Sequence, residues 1–464
     1  SRKRFERFYD IKENIKTFEQ KVEDKYVKEV KERSALIEQI RALEKLNVQM
    51  SEDAHNLTKA LKGDIRMPLS VVSVDVWGAD IESDGGVFDT GDLDGICRPT
   101  GREPLQAGDS SGTIIPLWMF NEDGTPYTCD SRQALASVVN RYTEKNLTPV
   151  VATELEFYLM DANSATPEAP ISPVTNKRLQ HNSVLSLDEL EDFEAFLSDI
   201  YAACELQNIP ADAAISENGC GQFEINLLHV DDPLKAGDDA IFFKRIVKTV
   251  ARKHGMIASF MAKPYGEESG SGLHVHFSLL DSDGNNVFDD NSETGTDLLK
   301  YAVNGLINAM PESMLIFAPH YNSYRRLTPG THAPTAAGWG YENRTAAIRI
   351  PGGDSKARRI EHRVAGADAN PYLVLASILG SALEGIEKED MPIDPVTGNA
   401  YEADLTQLPT NWAAAITAFE EGSVLPNVFS DIFNDLFVAC KKQELSEFSR
   451  HVSDFEHQSY LDIV

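Results

Sequence analysis

Val150-Val151-Ala152-Thr153-Glu154-Leu155-Glu156-Phe157-Tyr158-Leu159 decides how the rest of the chain is read. Its apolar and β-branched residues predict a buried strand, and because side chains alternate along a strand, Glu154 and Glu156 leave the same face. Two neighbouring carboxylates on a core strand raise each other's pKa and cost several kcal/mol apiece to bury unpaired. Bound cations are the natural compensation.

Three further stretches have the same construction. In Glu217-Asn-Gly-Cys-Gly-Gln-Phe-Glu224-Ile-Asn-Leu, Gln222, Glu224 and Asn226 share one face and Phe223, Ile225 and Leu227 the other, with Glu217 across a Gly-rich turn. In Gly272-Leu-His-Val-His-Phe-Ser-Leu, His274, His276 and Ser278 alternate with Leu273, Val275 and Phe277. In Arg359-Ile-Glu-His-Arg-Val, Arg359, Glu361 and Arg363 point one way. Any one such strand reads equally as part of an antiparallel sheet with a solvated face. Together their polar faces carry five carboxylates and two histidines, with Cys and Lys absent from those faces, which implies a walled, charged cavity. Carboxylate oxygen with an occasional imidazole suits magnesium or manganese better than zinc.

Arg325, Arg326, Arg344, Arg349, Arg358, Arg359 and Arg363 form a second, basic cluster in a strongly acidic protein. Guanidinium forks match phosphate and carboxylate, so divalent metal with convergent arginines points to phosphoryl transfer. Composition alone leaves open whether these arginines instead bridge surface acids. No GxxxxGK[ST] and no GxGxxG after a strand occurs, so neither a P-loop nor a dinucleotide site is indicated.

The chain has 464 residues, enough for two or three domains with a substantial core. Its 43 basic and 73 acidic residues leave a formal charge of -30, which repels nucleic-acid phosphates. No apolar run reaches membrane-spanning length, so neither nucleic acid nor membrane is expected as a partner. Cys97, Cys129, Cys204, Cys220 and Cys440 are widely spaced, without CxxC, and suggest neither a disulfide framework nor a thiolate zinc site. With no signal-peptide pattern, a cytoplasmic protein is expected.

Residues 1–63 are rich in Lys and Glu, and Leu36, Ile40, Leu43, Asn47, Met50, Ala54, Leu57 and Leu61 follow a heptad pattern. A long helix packing on its own chain or on a partner copy is expected there, with a weaker stripe at Ile11, Ile15, Phe18 and Val22. From Ile65 the texture changes. Leu69 to Trp77 alternates like a strand, residues 82–95 read as loop and Thr113 to Phe120 as strand-like. Ser131 to Asn146 is predicted as a helix with Asp130 as its N-cap, and Ser186 to Gln207 as an amphipathic helix. Strands and helices then alternate to Ile386, and two helical stretches, Asn411 to Glu421 and Val428 to Ser449, finish the chain.

The motifs Glu154-Leu-Glu156, Glu217 with Gly221-Gln-Phe-Glu224, Gly270-Ser-Gly-Leu-His274-Val-His-Phe-Ser278, Asn322 to Gly330, Asn343 to Pro351 and Arg358-Arg-Ile-Glu361-His-Arg363 together resemble the glutamine synthetase superfamily from about Asp64 to Val464. The resemblance implies an α/β (α+β) fold with a small β-grasp-like N-terminal domain, residues 64–125 and read as truncated. It also implies a large catalytic domain, 126–464, with a curved antiparallel sheet flanked by helices. It places Glu156, Glu217 and Glu224 on one metal and Glu154, His274 and Glu361 on another, with two or three Mg2+ or Mn2+ ions per site. His276, Ser278, Lys356 and Arg359 go to ATP by the same match, Gly270, Arg326 and Arg363 to substrate glutamate, and Arg344 and Arg349 to the transferring phosphoryl group. The implied reaction makes γ-glutamyl phosphate from L-glutamate and ATP, after which an amine displaces phosphate.

Family members that use ammonia carry a Glu in the flap where this chain has Gly330-Thr331-His332-Ala333-Pro334, and an Asp-Gly-Ser-Ser element where only Asp-Thr-Gly-Asp is found between Gly85 and Asp94. His332 could deprotonate an amine near neutral pH. The ensemble looks most like γ-glutamylpolyamine or γ-glutamylputrescine synthetases, and a cationic substrate suits an acidic protein. The alternatives are a glutamine synthetase using ammonia, and a non-catalytic relative, which the intact ligand set argues against. The family also implies a homo-oligomeric ring, a hexamer or dodecamer, whose assembly depends on the small domain. Residues 1–64 resemble the coiled-coil region of the RmuC family, read as a fusion, natural or engineered, and not as a DNA-binding element.

Overall fold

The computed structural model describes residues 16–17, 20–25, 28, 31, 57–63, 65–82, 91–106 and 112–464. The chain divides into two compact units, Ser1–Ile65 and Arg66–Val464. In the first, the described residues up to Leu61 are helical, with Val22, Leu57 and Leu61 exposed. The remaining predicted seam positions, Leu36, Ile40, Leu43, Asn47, Met50 and Ala54, lie outside the described residues, as do Ile11, Ile15 and Phe18.

The second unit is built on an eight-stranded sheet. Its strands are β1 (Thr148–Asp161), β2 (Ala211–Ser216), β3 (Gln222–Val230), β4 (Met256–Ser259), β5 (Leu273–Leu280), β6 (Trp339–Tyr341), β7 (Ile348–Ile350) and β8 (Ile360–His362). They run in the order β6-β7-β8-β5-β1-β3-β2, with β4 also paired to β1. All pairs are antiparallel except β6 with β7, so the expected antiparallel sheet carries a parallel edge. The opening stretch is the longest strand. Val151, Leu155 and Phe157 are fully buried while Ala152, Glu154 and Glu156, on the opposite face, are only partly so.

The apolar face packs on helices. Phe157, Phe196, Phe223 and Phe260 form a ring cluster under it, with Phe243, Val247 and Val250 of α2 (Pro233–Lys253) in the same core. Asp130 caps α1 (Ser131–Glu144) by accepting from Arg132 N, as predicted, and the Arg132 side chain forms a buried pair with Asp238 of α2 at 2.9 Å. Helices α3 (Asp297–Phe317) and α4 (Pro371–Lys388) cross where each carries a glycine. A Cβ on Gly305 would stand 2.1 Å from Ser381 O, and one on Gly385 2.2 Å from Tyr301 O, so the backbones touch because neither position has a side chain.

Three local expectations are corrected. Leu69 to Trp77 is not a strand: Leu69–Val72 forms a 3-10 turn, and the Asp75 carboxylate gathers the N–H groups of Trp77 and Ala79 into a tight turn through Gly78. The stretch 113–120 is two strands, Thr113–Ile114 and Leu117–Phe120, separated by Ile115 and Pro116; the second pairs antiparallel with Asp94–Pro99 in a small sheet. The helix expected over 186–207 is two helices, Leu187–Asp192 and Glu194–Leu206, which meet at the fully buried Phe193. Helices Trp412–Glu420, Asp431–Arg450 and the short Asp454–Tyr460 end the chain.

Gly305→Ala should force backbone against backbone and cost about 2–3 kcal/mol. A thermal melt should show a Tm lowered by several degrees, and an unchanged Tm would refute the close crossing of α3 and α4.

Candidate active site

The sheet register brings the predicted polar residues together. Across β5 and β1, His274 stands opposite Glu154, whose other neighbour is Asn226 of β3. Glu156 faces Glu224 across β1 and β3, and Glu361 of β8 is flanked by His276 and by Arg349 of β7. Glu217 closes the row from the turn before β3, its N–H bonded to Gln222 O at 2.8 Å. Gly219 is part of that turn: a Cβ there would stand 1.8 Å from the Tyr158 hydroxyl.

The row has two electrostatically different halves. The Glu154 carboxylate is clasped by His274 Nδ1 at 3.1 Å and His276 Nε2 at 2.8 Å. Burial pushes its pKa up, but those hydrogen bonds and the imidazole charges outweigh burial and hold it well below the usual carboxylate range. Glu361 is almost fully buried, takes Arg349 Nη1 at 2.7 Å on Oε2 and Arg363 Nη1 on Oε1. Burial raises Glu361 too, yet Arg363, the two histidines and Arg349 bring it down to about 2.

In the other half burial and like charge outweigh the nearby arginines. Burial, then the charges of Glu156, Glu154 and Glu217, push Glu224 up to about 9. Burial and the neighbouring Glu156 carry Glu217 to about 7. Ligand atoms of Glu154, Glu224 and His274 lie within 4.8 Å of one another, as do those of Glu154, His276 and Glu361. Carboxylate oxygens with one imidazole in each group are a donor set that fits hard divalent cations. This grouping shares Glu154 between both sets and draws in His276, which the family resemblance assigns to nucleotide.

Two cavities meet at this row. One, of 870 Å³, is lined by Glu154, His276, Ser278, Lys356 and Arg359, together with Asn226 and Asn286. The Arg359 Nε donates to His276 Nδ1 at 3.2 Å, and Asn286 ties the loop of Lys356 down through the carbonyls of Lys356 and Arg358. The other, of 650 Å³, is lined by Glu156, Glu217, His274, Gly270, Arg326, Arg363 and His332. Gly270 has no room for a Cβ, which would lie 2.5 Å from the Arg326 side chain.

The arginine cluster splits. Arg326 is buried and donates to Val364 O at 2.7 Å; Nε of Arg363 and Nε of Arg349 are buried without a hydrogen-bond partner and remain free donors. Arg344 is exposed, close enough to Glu217 to oppose the rise in its pKa. Arg358 stands apart from this set and holds the carbonyls of Glu293 and Ser292, whereas Arg325, also on the 650 Å³ cavity, lies over the Tyr321 ring. His332 is exposed on the flap, in the left-handed backbone region at φ 58. Gly85 to Thr90 lie outside the described residues, and Asp92 is engaged by Ser70 N and Oγ. Sequence reasoning passed over Asn182, Lys263, Glu267 and Glu268, all on the 650 Å³ cavity; the charged run Lys263 to Glu268, just ahead of Gly270, was the available signal.

The fold and this site define a member of the glutamine synthetase family: the profile of the glutamine synthetase catalytic domain matches residues 128–460, and the chain belongs to that family. It is an ATP-dependent glutamate ligase. γ-Glutamylputrescine synthetase PuuA of Escherichia coli (strain K12) is 41% identical over 404 residues, covering 86% of this chain and 85% of that protein. Glutamate–isopropylamine ligase of a Pseudomonas species is 35% identical, covering 74% and 75%. The solved GmaS/ADP complex superposes with a TM-score of 0.73 at 28% identity, covering 80% of this chain and 86% of that one. Residues 7–67 match the RmuC family profile. Among the described residues no helix is long and apolar enough to cross a membrane.

Because Glu217 and Glu224 have pKa values raised above the ordinary carboxylate value, their contribution to stability is present at low pH and lost as pH climbs through about 7 to about 9. The metal-free protein should therefore lose Tm between pH 6 and 9, and added Mg2+ or Mn2+ should restore more at pH 8.5 than at pH 6. Glu224→Gln should flatten most of that slope in scanning fluorimetry; a metal shift independent of pH would contradict the charge assignment.

Proposed function

We propose that this protein joins the γ-carboxylate of L-glutamate to a primary amine of the polyamine type, putrescine for example, through γ-glutamyl phosphate. The reading rests on one observation: two cavities, one rimmed by Ser278, Lys356 and Arg359 and one by Arg326, Arg363 and His332, open onto the same carboxylate row. ATP in the first and glutamate in the second would meet at that row. Support comes from the similarity to PuuA and to glutamate–isopropylamine ligase, both named for joining glutamate to an amine.

In this reading Glu154, Glu156, Glu217, Glu224, His274 and Glu361 hold two or three divalent cations, which when bound neutralise phosphate and carboxylate charge. Arg326 and Arg363, with Gly270 clearing space, orient glutamate. Its γ-carboxylate oxygen attacks the terminal phosphorus of ATP as the bond to ADP breaks, and Arg349 and Arg344 stabilise the equatorial oxygens. The amine nitrogen then attacks the acyl carbon, the carbon–oxygen bond to phosphate breaks, and His332 takes the proton from nitrogen. Glu361 has a second task, since it fixes both Arg349 and Arg363. A ring-shaped homo-oligomer belongs to the same reading.

Phosphate release should require ATP, glutamate and amine together, with di- or polyamines better than ammonia; equal or better turnover with ammonia would return the protein to glutamine synthesis. Glu361→Gln should lower kcat by about 100-fold or more, as expected for loss of a charged transition-state support, and near wild-type turnover would refute its role.

A further inference from the structure

The flap that carries His332 is held from behind by a segment that neither the motifs nor the cavities single out. His332 is exposed and stands in the left-handed backbone region at φ 58, a conformation that a residue with a side chain keeps only where its neighbours enforce it. Ahead of it the Thr331 hydroxyl lies 2.7 Å from Thr328 O and 3.2 Å from Arg326 O. Behind it the Tyr401 hydroxyl donates to the carbonyl of the buried Ala333 at 3.0 Å. These two holds bracket His332.

Tyr401 belongs to a brace formed by residues 396–408. Beyond the flap, Leu408 N donates to Thr335 O at 2.9 Å, and Ala336–Ala337 pairs antiparallel with Thr406–Gln407. At its other end the brace is tied to the loop of Arg344. Asn343 Nδ2 donates to Val396 O at 3.1 Å and to Gly398 O at 2.9 Å, and Ala400 N donates to Thr345 Oγ1 at 2.9 Å. Burial raises the Tyr401 pKa while Arg326, Arg363 and the His332 N–H oppose that rise, so the hydroxyl stands near all three. Tyr401 itself lines neither cavity.

We propose that Tyr401 is a positioning residue that fixes His332 for removal of the amine proton, and so sets how much γ-glutamyl phosphate becomes amide. This rests on the reading of His332 given above. In that reading phosphoryl transfer to glutamate does not involve His332 and proceeds whether or not the flap is held. Capture of the acyl phosphate does involve it: nitrogen attacks the acyl carbon, the carbon–oxygen bond to phosphate breaks, and the proton on nitrogen passes to the imidazole. An imidazole displaced by about 1 Å loses much of that advantage. Water then takes the place of the amine at the acyl carbon and returns glutamate and phosphate. Loss of the Tyr401 contact therefore uncouples ATP use from amide formation.

Tyr401→Phe removes one hydroxyl from a half-buried side chain and keeps the ring, so its Tm should stay close to that of the wild type. In rapid-quench experiments without amine, glutamate-dependent cleavage of ATP in the first turnover should be little changed. With 1,4-diaminobutane the rate of amide formation should fall about tenfold, with the KM for glutamate little changed and less amide formed per phosphate released. In the His332→Ala background the same substitution should cost less than about twofold further, because a residue that acts through His332 has nothing left to position. Equal losses in ATP cleavage and amide formation, unchanged amide formation, or the full loss repeated in the His332→Ala background would overturn the positioning role and leave the ligase reading intact. Full amide turnover by His332→Ala alone would overturn the reading of His332 as the base, and the role of Tyr401 with it.

Discussion

Like charge held at strand spacing governs this molecule. Glu154 and Glu156 are two residues apart on β1, Glu224 is the cross-strand neighbour of Glu156, and Glu217 lies over the adjoining turn. In water these carboxylates would move apart. The sheet does not allow it, because the alternate residues of the same strands, Leu155, Phe157, Phe223 and Ile225, are locked in the core on the other face. A one-residue slip would turn the carboxylates into the core and the phenylalanines out. Hydrophobic burial thus supplies the force that keeps the charges together.

The charge imbalance along the row follows from its neighbours. Where β5 and β8 supply His274, His276 and paired arginines, the carboxylates are held low; on the β3 side burial and the neighbouring acids outweigh Arg363 and Arg344 and push Glu224 and Glu217 up. In the proposed reading such a site exchanges protons for divalent cations and receives a polyanionic nucleotide. The two cavities on either side make the row a meeting point, and the same reading gives the fixed positive groups around it the positioning on which phosphoryl transfer depends.

Much of this was legible in the sequence, because a strand with one polar and one apolar face writes its geometry into alternate residues. Glu154, Glu156, Glu224, His274, His276 and Glu361 were found that way, and the structure sets them side by side. Elsewhere tertiary contacts overrode the local pattern. Leu69 to Trp77 alternates, but Asp75 captures two backbone N–H groups and bends the chain. The break between Leu187–Asp192 and Glu194–Leu206 is set by Phe193 reaching the core, which periodicity does not register. The final helix Asp454–Tyr460 did have a signal, the Ser453–Glu456 capping box. Arg358 shows the opposite failure: it sits in the arginine cluster by sequence, and its guanidinium holds the loop carbonyls of Glu293 and Ser292.

The account stands on transfer of a phosphoryl group to the γ-carboxylate of glutamate across this row. The direct measurement is to supply glutamate labelled with oxygen-18 in the γ-carboxylate, together with ATP and 1,4-diaminobutane, and to follow the label by mass spectrometry. One labelled oxygen should appear in each inorganic phosphate released, with the other retained in the amide. Phosphate free of label would mean that the carboxylate is never phosphorylated, and would contradict the mechanism drawn from the site.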